Sequence, residues 1–352
     1  MNRPEDGNPA PAQGVVVSVV LALYRSEATL AGCLEALCRQ TRRDFEVIAV
    51  DSAPDEACAP IVSAFGKRLR LRYLRSPVRL LPQEARNAGA RVATGSLLVF
   101  SDPDCYAAAD WLQRLVAAHE TTGHPIVGAL ACYGDRALDR AVHLTKFSKW
   151  LPAGPARPVD MAPTANFLCS RALFERHGGF SGDGMLGDTS FSWRLRAVGV
   201  TLWFEPKAVV LHHHLDTLVT LMRERFRRGK LFARVRMEWL ADDPGGYRRK
   251  SAFFLATSAL PIRLGSNLLH VGRHAARAGG LRPWWNFLSG LPVVALGMQA
   301  TLLGESAIYA RELLAGRAEP SRVAVPGEDE RAAGTEEGGA AACSEPRGSV
   351  SS

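Results

Sequence analysis

The sequence predicts an α/β fold, in which helices flank a mostly parallel β-sheet, followed by a C-terminal helical region that associates with a membrane. Short runs that are apolar throughout alternate with segments of helical periodicity in the first half of the chain. Such runs are typical of parallel strands that are covered on both faces. Strand and helix alternation of this kind favours a doubly wound sheet. Two longer apolar runs in the last third indicate the membrane-associated helices.

The first predicted strand is the β-branched run of residues 15–23. Ser26 follows as a plausible N-cap of a helix that carries Leu30 and Leu34 at helical spacing. The next apolar run, residues 45–50, predicts the second strand. Strand, turn, helix and strand in this order form the opening of a βαβ unit.

The fourth predicted strand, which begins at Leu97, leads directly into two carboxylates. Residues 71–74 supply a short third strand and residues 82–93 a helix, and LLVFS then runs into Asp102 and Asp104. Open α/β sheets bind ligands at the carboxyl ends of their strands. Two adjacent carboxylates repel each other unless a cation or a donor lies between them, and Mg²⁺ is commonly held by one or two carboxylates together with phosphate oxygens. Because a chain of this length contains about one Asp-x-Asp by chance, the pair needs support from other motifs.

The charge of the chain favours an anionic partner. The formal net charge is +8 and the pI is about 9.3. Nucleic acid, a phosphorylated substrate and a membrane surface all fit this charge. The first strand is not followed by Gly-x-Gly-x-x-Gly, which argues against a dinucleotide-binding dehydrogenase.

Cysteine usage and the N-terminus favour a cytoplasmic protein. The seven cysteines show no Cys-x-x-Cys pair, so neither a zinc module nor a disulfide framework is predicted. The N-terminal residues lack the apolar core of a signal peptide. We therefore expect a reducing compartment.

Several motifs in a fixed order resemble the family 2 glycosyltransferases of the GT-A fold. The resemblance covers roughly residues 15–230. It rests on VSVVLALYRSEATLAGCLEAL, FEVIAVDSAPDE, ARNAGARVATGSLLVFSDPDC, Asn166-Phe167, the Gly178-Gly179-Phe180 turn, Gly187-Asp188 followed by WRLRAVG, and AVVLHHH. The resemblance implies a GT-A (Rossmann-like), mostly parallel sheet.

The resemblance also implies an activity. An inverting, metal-dependent enzyme would transfer a sugar from a nucleotide-diphosphate sugar to a saccharide or lipid-linked acceptor in polysaccharide or glycolipid biosynthesis, with no nucleic acid as partner. The implied nucleotide-sugar-binding residues are Ala22, Tyr24, Glu27, Asp51, Arg86, Asn87 and Asp102. The family usually has Pro-x-Tyr-Asn after its first strand, whereas this chain has Ala-Leu-Tyr-Arg. The choice of nucleotide is therefore left open.

By the same resemblance, Asp104 and His212 would hold the metal ion, Mn²⁺ or Mg²⁺. Side chains alternate along a strand, so His212 and His214 should share a face while His213 points to the other. An imidazole ligand suits Mn²⁺ better than Mg²⁺. No cysteine lies close in sequence to these histidines, which argues against a separate zinc site there.

Asp188 is the residue that the resemblance implies as the catalytic base. A carboxylate on the acceptor side would remove the proton of the attacking hydroxyl. Asn166 and Trp193 are the implied acceptor-side residues. The family usually reads Glu-Asp-x-Asp around the base, but this chain reads Gly-Asp-Thr-Ser. This change keeps open an alternative, a non-catalytic nucleotide-sugar or glycan-binding protein that retains the fold.

A basic stretch follows the histidine run. It spans residues 223–236, and Arg227, Arg228 or Lys230 could cover a diphosphate or lie against anionic lipid. A solvated helical face is the simpler interpretation for any single one of these cations.

The boundaries follow from composition. We expect a disordered N-terminus (1–13), a GT-A glycosyltransferase domain (14–235), a helical, membrane-associated region (236–315) and a disordered tail (316–352). The apolar runs 252–262 and 287–303 are short for a bilayer span, and the Trp pair at 284–285 suits an interface. Either they place the protein on the cytoplasmic face of the cell membrane, or they form a soluble helical subdomain.

Overall fold

The computed structural model describes residues 16–181, 186–238, 252–257, 261–277 and 281–314. The strands are β1 (Val17–Leu23), β2 (Phe45–Asp51), β3 (Leu71–Arg75), β4 (Leu97–Ser101), β5 (Cys105–Ala107), β6 (Ile126–Cys132), β7 (Arg157–Val159), β8 (Asn166–Ser170) and β9 (Leu202–His212). The helices are α1 (Glu27–Cys38), α2 (Cys58–Phe65), α3 (Pro82–Val92), α4 (Trp111–Thr122), α5 (Ala137–Phe147), α6 (Arg171–Arg176), α7 (Gly187–Ala197), α8 (Leu218–Glu238), α9 (252–257), α10 (Pro261–Arg277) and α11 (Leu281–Leu314).

The strands form one mixed sheet, in the order β3-β2-β1-β4-β8-β6-β9-β5, with β7 paired to β9. Strands β1 to β4 pair in parallel, as do β6 and β9. Strand β8 is antiparallel to both β4 and β6, and β5 is antiparallel to β9. The sheet with its flanking helices confirms the predicted α/β fold.

The central strands are buried because their side chains are apolar on both faces. Every residue of β2 and β4 is buried, and β1 has a single partly exposed residue, Ala22. Predicted and observed elements agree closely here: the helix predicted for residues 82–93 spans Pro82–Val92. Ser26 takes the N-cap position of α1, but its Oγ accepts from the Tyr24 N–H at 3.1 Å rather than from a helix N–H.

The C-terminal helices pack on the sheet domain as part of the same compact unit. Helix α11 lies against α8 and α5. Two glycines allow the close approach of α8 and α11. A Cβ at Gly229 would lie 2.0 Å from the Thr301 carbonyl oxygen, and one at Gly304 would lie 2.1 Å from the Phe226 carbonyl oxygen.

Among the described residues, one helical segment, Trp284–Leu314, is long and apolar enough to cross a membrane by length and composition. The most apolar window of 18 residues in this segment has a mean hydropathy of 1.5, and 39% of that window is buried inside the protein. The predicted apolar run 287–303 lies within this segment. The predicted run 252–262 falls partly outside the described residues, and the predicted disordered segments 1–13 and 316–352 fall wholly outside them.

Candidate functional site

The candidate site lies where the chain leaves the carboxyl ends of β1 and β4. Asp102 and Asp104 occupy the turn between β4 and β5. Strand β5 pairs with β9 in a register that sets Cys105 opposite His212. The His213 N–H also donates to the Asp104 carbonyl oxygen at 2.8 Å. This pairing brings the predicted metal ligands Asp104 and His212 together.

The four side chains of Asp102, Asp104, Cys105 and His212 each offer a ligand atom within 4.8 Å of the others. His212 Nε2 lies 3.7 Å from Asp104 Oδ1, and His212 Nδ1 is buried without a hydrogen-bond partner among the described residues. Burial raises the pKa of Asp104 above its usual range, although His212 opposes the shift. Carboxylate oxygens with an imidazole fit a Mn²⁺ or Mg²⁺ ion, whose charge would compensate the buried carboxylate.

Arg86 of α3 forms an ion pair with Asp102 Oδ1, and both side chains are largely shielded from solvent. Arg86 Nε is buried with no hydrogen-bond partner in the part of the chain that the structure describes. The ion pair holds Asp102 beside Asp104 and His212, so Arg86 and Asp102 meet at the site.

Two cavities open on either side of this cluster, and Asp102, Asp104 and His212 line both. The first, here called the β1-side cavity, measures about 560 Å³ and is lined by the loop after β1. The second, the α7-side cavity, measures about 290 Å³ and is lined by Asp188. The cluster therefore lies between two cavities, each of which could hold one of two substrates.

Ala22 and Tyr24, two of the predicted nucleotide-sugar-binding residues, line the wall of the β1-side cavity. The Arg79 guanidinium carbon lies 4.6 Å from the centre of the Tyr24 ring, and that of Arg25 lies 5.7 Å away. Arg25 is the described non-glycine residue with positive φ, at 50°. A strained backbone beside a cavity is common where ligands bind.

In the α7-side cavity, Asp188 lies half-buried in the first turn of α7. Its Oδ1 accepts from the Thr189 N–H at 2.7 Å and from the Thr189 hydroxyl at 3.3 Å. These bonds fix the carboxylate at the start of the helix. A carboxylate in this position can accept a proton from a group that enters the cavity.

Three of the predicted site residues form hydrogen bonds within the protein through their side chains, namely Asp51, Asn87 and Asn166. Asp51 is fully buried and accepts from Tyr73 Oη at 2.6 Å and from the Ala53 N–H at 2.9 Å. Asn87 bonds to the backbone of Phe180 rather than lining either cavity.

Asn166, predicted on the acceptor side, is fully buried. Its amide accepts from Trp111 Nε1 at 2.9 Å and donates to the carbonyl oxygens of Ala129 and Ala208 at 2.8 and 3.0 Å. Both the oxygen and the nitrogen of its amide are used inside the core, and Asn166 lines neither the β1-side nor the α7-side cavity.

Trp193 and Glu27 also lie apart from the two cavities. Trp193 is half-buried and packs edge-on against Phe232 of α8, with ring centres 5.9 Å apart. Glu27 is exposed in the first turn of α1. Neither residue lines the β1-side or the α7-side cavity.

Two further cations line the site: Lys146, which was not predicted, and Arg225, which lies in the predicted basic stretch but was not singled out there. Lys146 of α5 lines both cavities, with its Nζ 2.9 Å from Asp216 Oδ2 and 3.8 Å from Glu224 Oε2. Arg225 of α8 lines the α7-side cavity, and burial lowers its pKa to about 10. Arg228, which the basic stretch did predict, lines the same cavity. Lys146 carries no sequence signal of its own, because it is one cation on an ordinary amphipathic helix.

The family model of glycosyl transferase family 2 matches residues 18–195, about half of the chain. Validoxylamine A glucosyltransferase of Streptomyces hygroscopicus subsp. limoneus is 32% identical over 140 residues, which cover 38% of this chain and 31% of that protein. Glycosyltransferase AglE of Haloferax volcanii is 26% identical over 222 residues, covering 61% and 72% of the two chains. The chain thus spans about a third of the first relative and most of the second.

A solved structure shares the fold. The mannosyltransferase of Pyrobaculum calidifontis, determined in complex with GDP-Man and Mn²⁺, is 22% identical and has a TM-score of 0.56. The match covers 88% of this chain and 91% of that protein. The likeness extends beyond the sheet domain into the C-terminal helices.

Proposed function

The chain belongs to glycosyl transferase family 2, and we propose that it is an inverting, metal-dependent glycosyltransferase that uses a nucleotide-diphosphate sugar. The observation that carries the proposal is the position of the Asp102, Asp104 and His212 cluster between two cavities, one of which holds Asp188. The proposed acceptor is a saccharide or a lipid-linked saccharide, in polysaccharide or glycolipid biosynthesis.

The donor would lie in the β1-side cavity with its diphosphate at the cluster. Tyr24 offers an aromatic face there, and Lys146 and Arg86 supply positive charge near the carboxylates. A divalent cation held by Asp104 and His212 would stabilise negative charge on the departing diphosphate. GDP-Man with Mn²⁺ in the P. calidifontis mannosyltransferase supports the choice of donor class and metal.

The acceptor would enter the α7-side cavity. Its hydroxyl oxygen attacks the anomeric carbon, the bond from that carbon to the diphosphate oxygen breaks, and the hydroxyl proton passes to Asp188. The nucleoside diphosphate leaves with the bonding electron pair. Attack from the side opposite the leaving group inverts the anomeric centre. Arg225 and Arg228 line this cavity and would offset the charge of an anionic acceptor or leaving group.

A donor turnover assay with a panel of saccharide and lipid-linked acceptors tests these roles. We expect Asp188→Asn to lower kcat by about 10²- to 10⁴-fold, which is the usual contribution of a positioned base. Asp104→Asn should abolish the Mn²⁺-dependent rate. Asp135→Asn, which changes an exposed carboxylate, serves as the matched control. Wild-type rates in both site variants would disprove the assignment, and the anomeric configuration of the product, read by NMR, checks inversion.

A thermal-shift screen of nucleotide sugars, with and without Mn²⁺, separates enzyme from binding protein. A ligand that binds only the folded state raises the unfolding midpoint. Stabilisation by one donor together with turnover supports the enzyme. Stabilisation without turnover across the acceptor panel supports the alternative, a non-catalytic nucleotide-sugar or glycan-binding protein, which the altered Gly-Asp-Thr-Ser motif favours.

We also propose that α11 associates with the cytoplasmic face of the cell membrane. Exposed apolar side chains recur along one face of this helix at helical spacing, namely Trp285, Leu288, Leu296 and Leu303. Co-sedimentation with anionic lipid vesicles measures the association. Trp285→Glu with Leu288→Glu should weaken it, whereas the buried Tyr309 face should stay intact, as reported by an unchanged circular dichroism spectrum.

A further inference from the structure

A second cluster of metal-ligating side chains lies behind the first. It consists of Cys132 at the end of β6, His143 of α5 and His214 just after β9, and one ligand atom from each lies within 4.8 Å of the others. Both histidines are 2% exposed. The three residues are distant in sequence, so only the fold brings them together.

The outer nitrogen of each imidazole faces an acceptor. His143 Nε2 lies 3.0 Å from the Leu130 carbonyl oxygen, and His214 Nδ1 lies 3.9 Å from Asp216 Oδ2. A carbonyl oxygen can only accept, so Nε2 of His143 carries the proton and its Nδ1 presents a lone pair in the neutral ring. Metal-ligating histidines are oriented in this way by a carbonyl or carboxylate on the far nitrogen.

The inner nitrogens face each other. His143 Nδ1 and His214 Nε2 are 3.0 Å apart. If His214 is protonated on Nδ1, toward Asp216, then two lone pairs meet. If it is protonated on Nε2 instead, the two inner nitrogens share a hydrogen bond, but the Nδ1 lone pair of His214 is buried without a hydrogen-bond partner among the described residues and faces the Asp216 carboxylate at 3.9 Å. A cation between the inner nitrogens binds both lone pairs and leaves the proton of His214 on Nδ1, toward that carboxylate.

Neutral imidazoles are the forms that bind metal ions. Tetrahedral Zn²⁺ with Zn–N distances near 2.0–2.1 Å requires ligand nitrogens about 3.3 Å apart, close to the separation observed here.

We propose that Cys132 Sγ, His143 Nδ1 and His214 Nε2 form a zinc-class metal site distinct from the Asp102, Asp104 and His212 cluster. The Cys132 thiol, which now donates to the Gly134 carbonyl oxygen at 3.4 Å, loses its proton to solvent when the metal binds. Thiolate and imidazole ligands select Zn²⁺ over Mn²⁺ and Mg²⁺. The fourth position is left to water or to Asp216.

The site would tie together the ends of β6 and β9 and the helix that carries Lys146. The rings of His212 and His214 are stacked with their centres 4.6 Å apart, so fixing His214 also fixes the ring of His212. The role is therefore structural, in support of the neighbouring cluster.

Cobalt substitution of the full-length protein tests the site without any sugar transfer. The protein is stripped with a chelator and titrated with Co²⁺, and we expect a near-ultraviolet thiolate-to-Co²⁺ charge-transfer band that one equivalent of Zn²⁺ removes. Cys132→Ser and His143→Gln should abolish the band. Asp104→Asn should retain it, because that residue belongs to the other cluster. Cys105→Ser should retain it as well, since Cys105 offers the other nearby thiol.

Absence of the band in the wild type, its survival in Cys132→Ser, or its loss in Cys105→Ser would each overturn the proposal. Cys132 is only half-buried and serine is nearly the same size, so this variant decides the question even if His143→Gln does not fold. A rise of the unfolding midpoint with Zn²⁺ in the wild type, lost in Cys132→Ser, gives a second readout. Failure of the glycosyltransferase assignment would leave all of these measurements unaffected.

Discussion

Asn87 and Phe180 are joined by two hydrogen bonds. Asn87 Nδ2 donates to the Phe180 carbonyl oxygen at 2.7 Å, and the Phe180 N–H donates to Asn87 Oδ1 at 3.0 Å. These bonds attach α3 to the Gly178-Gly179-Phe180 turn, which precedes the helix that carries Asp188. Asn87, which the resemblance implies as a nucleotide-sugar-binding residue, thus holds the turn that precedes α7.

We expect Asn87→Ala to lower stability and leave the KM for the donor unchanged. Removing the amide leaves a buried N–H and a carbonyl oxygen unsatisfied, at a cost of about 1–3 kcal/mol. The free energy of unfolding and the donor KM are measured side by side. Arg91→Ala, on an exposed position of the same helix, is the control and should change neither quantity. A raised donor KM at unchanged stability would return Asn87 to the nucleotide-sugar site.

Glu46 is predicted to be a structural carboxylate at the far end of the sheet. Its Oε1 accepts from Ser18 Oγ at 2.7 Å, from the Thr94 N–H at 2.7 Å and from Thr94 Oγ1 at 2.8 Å. Glu46→Ala leaves these donors without an acceptor and should lower the free energy of unfolding by about 1–3 kcal/mol or more. Glu46→Gln keeps an acceptor oxygen and should lose less, as denaturant unfolding would show. Equal losses in the two variants would contradict the hydrogen-bonding explanation.

Lys146→Gln should weaken donor binding. The lysine faces both cavities and lies close enough to Asp104 to lower its pKa, against the effect of burial. A hydrogen bond to a charged group contributes about 1.5–3 kcal/mol, which corresponds to an increase of about 10- to 150-fold in the donor dissociation constant. Titration calorimetry with the donor measures it. Lys149→Gln, one turn further on and outside both cavities, should bind as the wild type does; equal weakening in both variants would point to net charge alone.

Gly304→Ala should destabilise the packing of α8 on α11. The added Cβ would meet the Phe226 carbonyl oxygen at 2.1 Å, so the helices must separate, and overpacking of this kind costs about 1–3 kcal/mol. Gly265→Ala in α10 is the matched control, because a Cβ there meets nothing within 4 Å. That change should raise stability by up to about 1 kcal/mol through helix propensity. Thermal unfolding midpoints that move in the same direction for both variants would refute the packing argument.

His274 should make stability fall as the pH drops from about 6.5 toward 4. Burial, with the nearby cations, lowers its pKa from 6.5 to about 4, so the unfolded chain binds more protons in this window and acid favours unfolding. The charged and titratable groups that act on it are His270, Arg277, Arg157 and Lys149. The unfolding midpoint is measured at pH 7 and pH 5. His274→Gln should reduce the difference between the two; an unchanged difference would assign it to other buried histidines, such as His143.

The alternation of strands and helices was predictable because each element's pattern is local. Asp102 and Asp104 could be placed at a strand end for the same reason. Their meeting with His212, by contrast, depends on the antiparallel pairing of β5 with β9, which no local pattern encodes. The family resemblance supplied that step.

The sequence did not predict which of the polar side chains are buried, because burial of polar side chains is decided by tertiary contacts. Asp51 and Asn166 have the residue types of ligand-binding groups, but Tyr73 and Trp111 cover them and satisfy their hydrogen bonds. Lys146 was not predicted because tertiary contacts also decide which surface side chains reach a cavity. It reaches the site because α5 packs against β6, and nothing in its neighbouring sequence distinguishes it from a surface lysine.

The close glycine contact between α8 and α11 limits how the C-terminal helices of this protein can be altered by engineering. Helix α8 presents Arg225 and Arg228 to the α7-side cavity and packs against α11, where the Thr301 hydroxyl accepts from Arg225 Nε at 3.2 Å. Cutting the chain before α11 would remove the helix that supports Arg225 and Arg228 at the α7-side cavity, and a replacement helix would lack the Gly304 that lets α8 approach. Replacing exposed apolar residues of α11, such as Trp285, with polar ones keeps α11 in place and leaves the α7-side cavity intact.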